Sequence, residues 1–94
     1  MEYALSRCFP NPFNADTQIA FQLPQASKVT LTIYSLLGQE VRVLVDGPRE
    51  AGYYQVSWDG RDGAGQQASS GLYLYRLIVG GDRFSAVRKM VLLK

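Results

Sequence analysis

The stretch that decides the fold is TQIAFQLPQASKVTLTI, residues 17–33, in which apolar and polar side chains alternate. Apolar residues at every second position put one face of an extended strand in a core and the other in solvent, whereas a helix needs them three or four positions apart. Pro24 interrupts the alternation, and a residue without an N–H group is tolerated between strands. The stretch therefore predicts two half-buried strands joined by a short hairpin-like connection.

The same period of two returns further along the chain, between turn residues. The alternating segments are 40–45, 54–58, 72–79 and 84–93. Short strands separated by glycine and proline turns are typical of sandwich folds. We therefore predict an all-β fold, an immunoglobulin-like antiparallel β-sandwich of about seven short strands.

The alternation also predicts which positions are buried. The side chains expected in the core are Phe21, Leu31, Ile33, Val56, Trp58 and Tyr75. Val41, Val43 and Val45 are expected on one face of their strand. Segment 46–52 has turn chemistry and is expected to be a loop, and segment 59–71 is the longest stretch without alternation.

Composition restricts the organisation and excludes several classes of function. With 94 residues, 47% hydrophobic and 19% charged, the chain suffices for one domain and has no apolar run that predicts membrane insertion. We assign residues 1–8 to a linker remnant of a longer parent chain and residues 9–94 to a single C-terminal β-sandwich domain. Histidine is absent and Cys8 is the one cysteine, which excludes a Ser-His-Asp triad, histidine metal sites and an intrachain disulfide. We therefore expect no enzyme activity, no metal and no cofactor.

Charge is small in sum but unevenly distributed. The net charge of +2 does not indicate a nucleic-acid partner. Residues 63–94, however, carry five basic residues and one acidic residue, while residues 1–62 carry five basic and seven acidic ones. A basic terminal segment is consistent with a recognition surface, and equally with a solvated strand face.

The two faces of the terminal segment, residues 88–94, carry different side chains. Its alternation places Met90 and Leu92 on one face, which we expect to pack inward. The opposite face, together with the basic residues at either end, is then free to meet a partner. The residues predicted to contact that partner are Arg88, Lys89 and Lys94.

Two further features have the chemistry of binding sites. Asp59 and Asp62 lie beside glycines, as in part of a calcium loop, but the next carboxylate is Asp82. A turn held by hydrogen bonds from backbone N–H groups to the aspartates explains the pattern better. Tyr53 is the tyrosine most expected to be exposed, and an exposed ring could stack on a sugar.

An N-terminal arm combines prolines, aromatic residues and asparagines. Its residues are Phe9, Pro10, Asn11, Pro12, Phe13 and Asn14. Each proline fixes its own φ and favours extended backbone at the residue before it. We therefore predict a stiff arm with two aromatic anchors, Phe9 and Phe13.

Five segments recur in a recognisable order. They are FPNPFN (residues 9–14), LGQEV (37–41), WDGRD (58–62), SGLYLYR (70–76) and RKMVLLK (88–94). Together they resemble the C-terminal sorting domain of type IX secretion system (Por secretion) cargo proteins. Residues 58–76 are also similar to the immunoglobulin-like part of the flagellar hook-capping protein. Ala15 departs from the sorting-domain pattern, in which a proline often follows the asparagine.

The resemblance implies a non-catalytic export signal. Such a domain directs its parent protein, the covalently attached upstream cargo, through the periplasm and across the outer membrane to a secreted or cell-surface location. Its partners in those systems are an outer-membrane translocon and a sortase-like peptidase, which can remove the domain near the arm. Two other functions remain open: an accessory or carbohydrate-contacting module of a multidomain secreted enzyme, and a structural domain like that of the hook-capping protein.

Overall fold

The computed structural model describes residues 2–93 and arranges them in seven β-strands without a helix. The strands are β1 (Ala4–Leu5), β2 (Thr17–Leu23), β3 (Ser27–Ser35), β4 (Glu40–Arg49), β5 (Gly52–Trp58), β6 (Gly71–Val79) and β7 (Phe84–Leu92). Within this range no helix has the length and apolar character that crossing a bilayer requires.

The strands form two antiparallel sheets. The smaller sheet has the order β1-β2-β5, and the larger has the order β4-β3-β6-β7. The inward-facing side chains of both sheets form one hydrophobic cluster. The arrangement confirms the predicted all-β fold, an immunoglobulin-like antiparallel sandwich.

The core contains the positions that alternation selects. In β2 every second residue is buried, from Thr17 to Leu23. The predicted core residues that are buried are Phe21, Leu31, Ile33, Trp58 and Tyr75. Val56 is only partly buried because β5 is an outer strand of the smaller sheet. Each fully buried large side chain stabilises the fold by roughly 1.5–3 kcal/mol relative to an exposed one.

The connection after β2 differs from the prediction. β2 and β3 lie in different sheets, so the expectation of a hairpin-like connection is wrong. Alternation is the same for a strand that pairs with its neighbour and for one that crosses to the facing sheet. β2 pairs instead with β5, in unbroken register from Thr17 opposite Trp58 to Leu23 opposite Gly52.

β4 also differs from the prediction, in length and in facing. It continues to Arg49, through most of the segment expected to be a loop. Val45 is buried, whereas Val43 is 39% exposed, so the three valines do not share one face. The register with β3 shifts twice, and each shift reverses which residues face inward.

The folded part of the chain begins before the arm. Residues 1–8, which the sequence assigned to a linker, include β1, and Ala4 and Leu5 pair with Gln22 and Phe21 of β2. Leu5 and Cys8 are both buried in the core cluster. The described N-terminal residues are therefore part of the sandwich from Ala4 onward.

Candidate functional site

The N-terminal arm lies against the end of β7, although about eighty residues separate them in the sequence. Phe13 forms a parallel bridge with Leu92. The Phe13 N–H donates to the Val91 carbonyl at 3.0 Å, and the Leu93 N–H donates to the Phe13 carbonyl at 2.8 Å. The two segments that carry most of the predicted site residues thus form one continuous surface.

Asn11 and Pro10 hold the arm in position through hydrogen bonds. The Asn11 side-chain Oδ1 accepts a hydrogen bond from the Val91 N–H at 2.9 Å. The Thr17 hydroxyl donates to the Pro10 carbonyl at 2.7 Å. A proline cannot donate a backbone hydrogen bond, so the arm is fixed by acceptors and by the N–H groups of its other residues.

Of the two aromatic side chains expected to anchor the arm, only that of Phe13 does so. Phe13 is 2% exposed, and its ring lies 5.6 Å from the ring of Trp58 with the planes at 60°. Phe9 is 79% exposed, so the prediction that it anchors the arm is wrong. Phe9 is held through its backbone, whose N–H and C=O both bond to Gln18, and its ring is left in solvent. Pro12 and Asn14 are exposed as well.

The terminal strand has the two faces that the sequence predicts. Met90 and Leu92 are fully buried, while Lys89 is exposed and Leu93 is 51% exposed. Lys94, the third basic residue predicted to contact a partner, lies outside the described residues.

Arg88 has a structural contact that the sequence does not predict. Its Nε donates to the Leu5 carbonyl of β1 at 2.7 Å. Opposite it on β6, the Tyr75 hydroxyl donates to the Ser6 carbonyl at 2.7 Å. The two neighbouring side chains therefore connect the larger sheet to the N-terminal segment. The one signal for this contact is that Arg88 has the same inward parity as Met90, and an inward cation needs an acceptor.

The Tyr75 phenol is buried, and its titration reflects that. Burial, with a smaller contribution from Cys8, raises the pKa of Tyr75 from its ordinary 10.0 to about 12, although the nearby Arg88 acts in the opposite direction. The hydroxyl therefore stays protonated and remains a donor to Ser6 across the physiological range.

The surface beside the arm is basic. A shallow groove of about 370 Å³ is lined by Arg7, Asn11, Val87, Arg88 and Lys89. The one ion pair within residues 2–93 joins Arg42 to Asp59 at 3.3 Å, and Arg42 lies on β4, at the opposite edge of the larger sheet from β7. The described cations of the groove are thus not neutralised by a carboxylate of the described chain, and they favour an anionic partner.

The aspartates after β5 form the predicted turn. Asp59 Oδ1 accepts the Arg61 N–H at 3.0 Å, and Asp62 Oδ1 accepts the N–H groups of Ala64 and Gln66, each at 2.9 Å. No cluster of three or more metal-ligating side chains occurs within the described range. Both carboxylates are therefore engaged in shaping the loop, as side chains in such turns are.

The exposed aromatic rings do not form a row. Tyr53 is 75% exposed, as predicted, and lies opposite Gln22 of β2. Phe9, the other strongly exposed ring of the described chain, lies opposite Gln18 on the other side of β2. Four positions along a strand correspond to at least about 13 Å, so one pyranose ring cannot contact both.

Fold and surface together define the class: a seven-stranded immunoglobulin-like sandwich in which an N-terminal arm closes part of the last strand. The model of the FlgD Ig-like domain family matches residues 10–79, about three quarters of the chain. The chain belongs to the FlgD Ig-like domain family. The match ends with β6, so β7 and its basic residues lie beyond it.

Two solved structures share the fold over nearly the whole chain. Dimeric latent PorU from Porphyromonas gingivalis has a TM-score of 0.69 and 21% identity, with 99% of this chain and 10% of that chain covered. PorZ, a surface component of the type IX secretion system of the same bacterium, has a TM-score of 0.57 and 17% identity, with 98% and 11% covered. The chain thus spans about a tenth of each of these proteins. No curated protein matches it significantly.

Proposed function

We propose that the chain is a non-catalytic sorting domain that directs the polypeptide carrying it across the outer membrane through the type IX secretion system. The observation that carries the proposal is the pairing of the arm with β7. The segments that resemble the sorting domain at residues 9–14 and 88–94 are far apart in sequence, yet Phe13 and Leu92 form a bridge. A receptor that reads one folded surface could recognise both at once, at little ordering cost.

The comparisons support this proposal over a hook-capping role. The FlgD family model stops at Val79, before the basic strand, whereas the similarity to PorU and PorZ covers β7 as well. PorZ is itself described as a component of the type IX secretion system. The sandwich with its arm and terminal strand is therefore the unit whose fold is shared with PorU and with PorZ, the component of that system.

The partners follow from the proposal. The outer-membrane translocon would contact the basic surface of Arg88 and Lys89, the sortase-like peptidase would act on the chain near the arm, and the cargo would be joined ahead of the domain. The absence of histidine and the use of Asp59 and Asp62 in a turn support a role without catalysis. The protein would then be secreted or held at the cell surface.

A charge reversal tests the proposal. A reporter fused ahead of the domain, in a host with the type IX system, should reach the surface. The variant Lys89→Glu with Lys94→Glu should accumulate in the periplasm, because two basic residues of the terminal segment become acidic, while the loss of stability should stay below about 1 kcal/mol.

The matched control reverses two cations away from the arm. Lys28→Glu with Arg49→Glu, at the far end of β3 and β4, changes the net charge equally and should leave delivery normal. Surface delivery of a reporter that lacks the domain altogether would defeat the proposal. Equal delivery of both charge-reversed variants would show that the basic terminal residues are a solvated face.

A structural role like that of the hook-capping protein is the second candidate, and the family match over residues 10–79 favours it. In that case the domain would assemble with other structural subunits. The variant Lys89→Glu with Lys94→Glu, whose changes lie outside the match, would then leave that function unaffected.

A further inference from the structure

The outer edge of β7 carries backbone groups that no strand pairs with. The Val91 N–H and C=O point away from β6, toward the arm. In a regular antiparallel strand the groups of every second residue point the same way, and the register of β7 with β6 is unbroken. The N–H and C=O groups of Ser85, Val87 and Lys89 therefore also point outward. Within residues 2–93 no strand pairs with this part of β7.

The arm covers only the end of that edge. Its backbone and Asn11 satisfy Val91 and Leu93, and the covered part ends there. The groove of about 370 Å³ is lined both by Asn11 of the arm and by Val87 and Lys89 of the open edge. The groove therefore lies beside the outward-pointing backbone donors and acceptors of Val87 and Lys89.

The charge of the groove selects among possible occupants. Arg7, Arg88 and Lys89 line it, and none of them has a carboxylate partner within the described chain. Arg88 is fixed beside the edge by its bond to the Leu5 carbonyl. Three cations around an open strand edge favour an extended segment with acidic side chains.

We infer that an extended acidic segment of a partner protein adds to β7 as a fifth strand of the larger sheet, over Ser85 to Lys89. Its backbone bonds to the outward groups, and its carboxylates lie near the three cations. The inference deepens the proposed function and rests on it only for the partner, which would be part of the secretion machinery. Strand addition itself is a property of this chain and can be measured alone.

A second copy of the chain fits the edge less well. Pairing of two β7 edges would bring Arg88 and Lys89 of both copies to one seam, where like charges on adjacent strands repel. An acidic strand meets the same cations with opposite charge. The occupant is therefore a different segment from β7 itself.

Amide exchange locates the added strand. The full chain would be titrated with an eight-residue peptide in which glutamate alternates with threonine, and with a matched peptide that has lysine in place of glutamate. The amides of Ser85, Val87 and Lys89 should exchange at least about tenfold more slowly with the acidic peptide, since they gain acceptors. The amides of Ala86 and Arg88, which already face β6, should change little.

Two variants separate backbone pairing from charge. Val87→Pro removes the central outward N–H, and proline is tolerated at such a position on a strand edge. The affinity for the acidic peptide should fall about three- to tenfold, as the loss of one hydrogen bond implies. Val87→Thr keeps the N–H and should bind within about twofold of the unmodified chain. Lys89→Glu tests the charge without altering the backbone and should also weaken binding.

Several results would overturn the inference. These are equal binding of both peptides, protection spread away from the β7 edge, and self-association in place of peptide binding. If Val87→Pro fails to fold, the inference is still tested by the pattern of amide protection and by the affinity of Lys89→Glu for the acidic peptide. The delivery assay separates the two proposals: normal delivery of a folded, peptide-deficient Val87→Pro reporter refutes strand addition as the mode of recognition. Delivery without the domain refutes the sorting function instead.

Discussion

The larger sheet has two outer strands, β4 and β7, and they are built in opposite ways. β4 shifts register twice against β3, contains Pro48, and is covered at its start by the loop after β5. The Gly63 N–H donates to the Val41 carbonyl at 2.9 Å, and Arg42 bonds to Asp59 and to the Arg61 carbonyl. Bulges, proline and a covering loop are the usual means of preventing another strand from pairing.

β7 has none of these devices over most of its length. Its nine residues pair with β6 without a register shift, and the arm covers only its end. Charged residues also protect edges, but here Arg88 and Lys89 are basic without an acidic residue beside them in the described chain. The comparison shows that the chain closes one outer edge of the larger sheet and leaves most of the other regular and uncovered, as the inferred strand addition requires.

Trp58→Ala should have the largest effect, because this side chain supports the covers of both edges. Its ring packs on Phe13 of the arm, and its Nε1 donates to the Arg61 carbonyl of the loop at 2.9 Å. The loss should be about 3–5 kcal/mol of unfolding free energy, measured by urea denaturation. Tyr53→Ala in the same strand, at an exposed ring, should stay within about 0.5 kcal/mol. Similar losses from both variants would contradict this role of Trp58.

Phe13→Ala should open the β7 edge alone. Removal of a buried phenylalanine is expected to cost about 3 kcal/mol, whereas Phe9→Ala should cost less than about 0.5 kcal/mol. The amides of Val91 and Leu93 should then exchange faster, because their acceptors belong to the arm. The Gly63 amide at the β4 edge should be unaffected. Equal acceleration at both edges would show that the two covers are not independent.

Alkaline pH should weaken the contact between β6 and the N-terminal segment. The pKa of Tyr75 is about 12 in the folded chain against an ordinary 10.0, so the folded state favours the protonated phenol. The resulting stability is complete below about pH 10 and is lost as the pH rises toward about 12. The urea midpoint of the unmodified chain should therefore fall more steeply with pH over this interval than that of the variant Tyr75→Phe, which has no ionisable phenol at position 75. Parallel curves would refute the assignment.

Calcium removal should have the smallest effect. The loop that covers β4 is held by bonds from backbone N–H groups to Asp62, so a chelator should shift the melting temperature by less than about 1 °C. Asp62→Ala should cost about 1–2 kcal/mol through the two lost bonds, with or without calcium. A chelator-induced drop that calcium restores and Asp62→Ala abolishes would make this loop a metal site.

The sequence predicts regular strands well and their partners poorly. β7 keeps the same facing from end to end, with Arg88 as the one charged residue at an inward position, so the sequence alone places Met90 and Leu92 inward. The sequence does not predict which way Val43 faces, because the two register shifts depend on how β4 pairs with β3 and have no signal in the local sequence. The sheet to which β3 belongs was missed for the same reason: facing is a property of one strand, and pairing is a property of two.

The candidate site shows the same division. Sequence patterns identified the arm and the basic strand, but gave no information on their contact, which joins Phe13 to Leu92. Phe9 and Phe13 look alike in the sequence, and only their neighbours distinguish an exposed ring from a buried one. The contact of Arg88 with Leu5 spans 83 residues and could be expected only as an unmet need for an acceptor.

The acceptors that Tyr75 and Arg88 use have a mechanical consequence. The Tyr75 side chain binds the backbone carbonyl of Ser6, and the Arg88 side chain binds that of Leu5. The attachment of the N-terminal segment to β6 and β7 therefore does not depend on which side chain occupies the exposed position 6. A force that pulls on a polypeptide joined ahead of Ala4 would be shared between the pairing of β1 with β2 and these two bonds to β6 and β7. The sandwich can therefore resist traction from many different chains with the same pair of contacts.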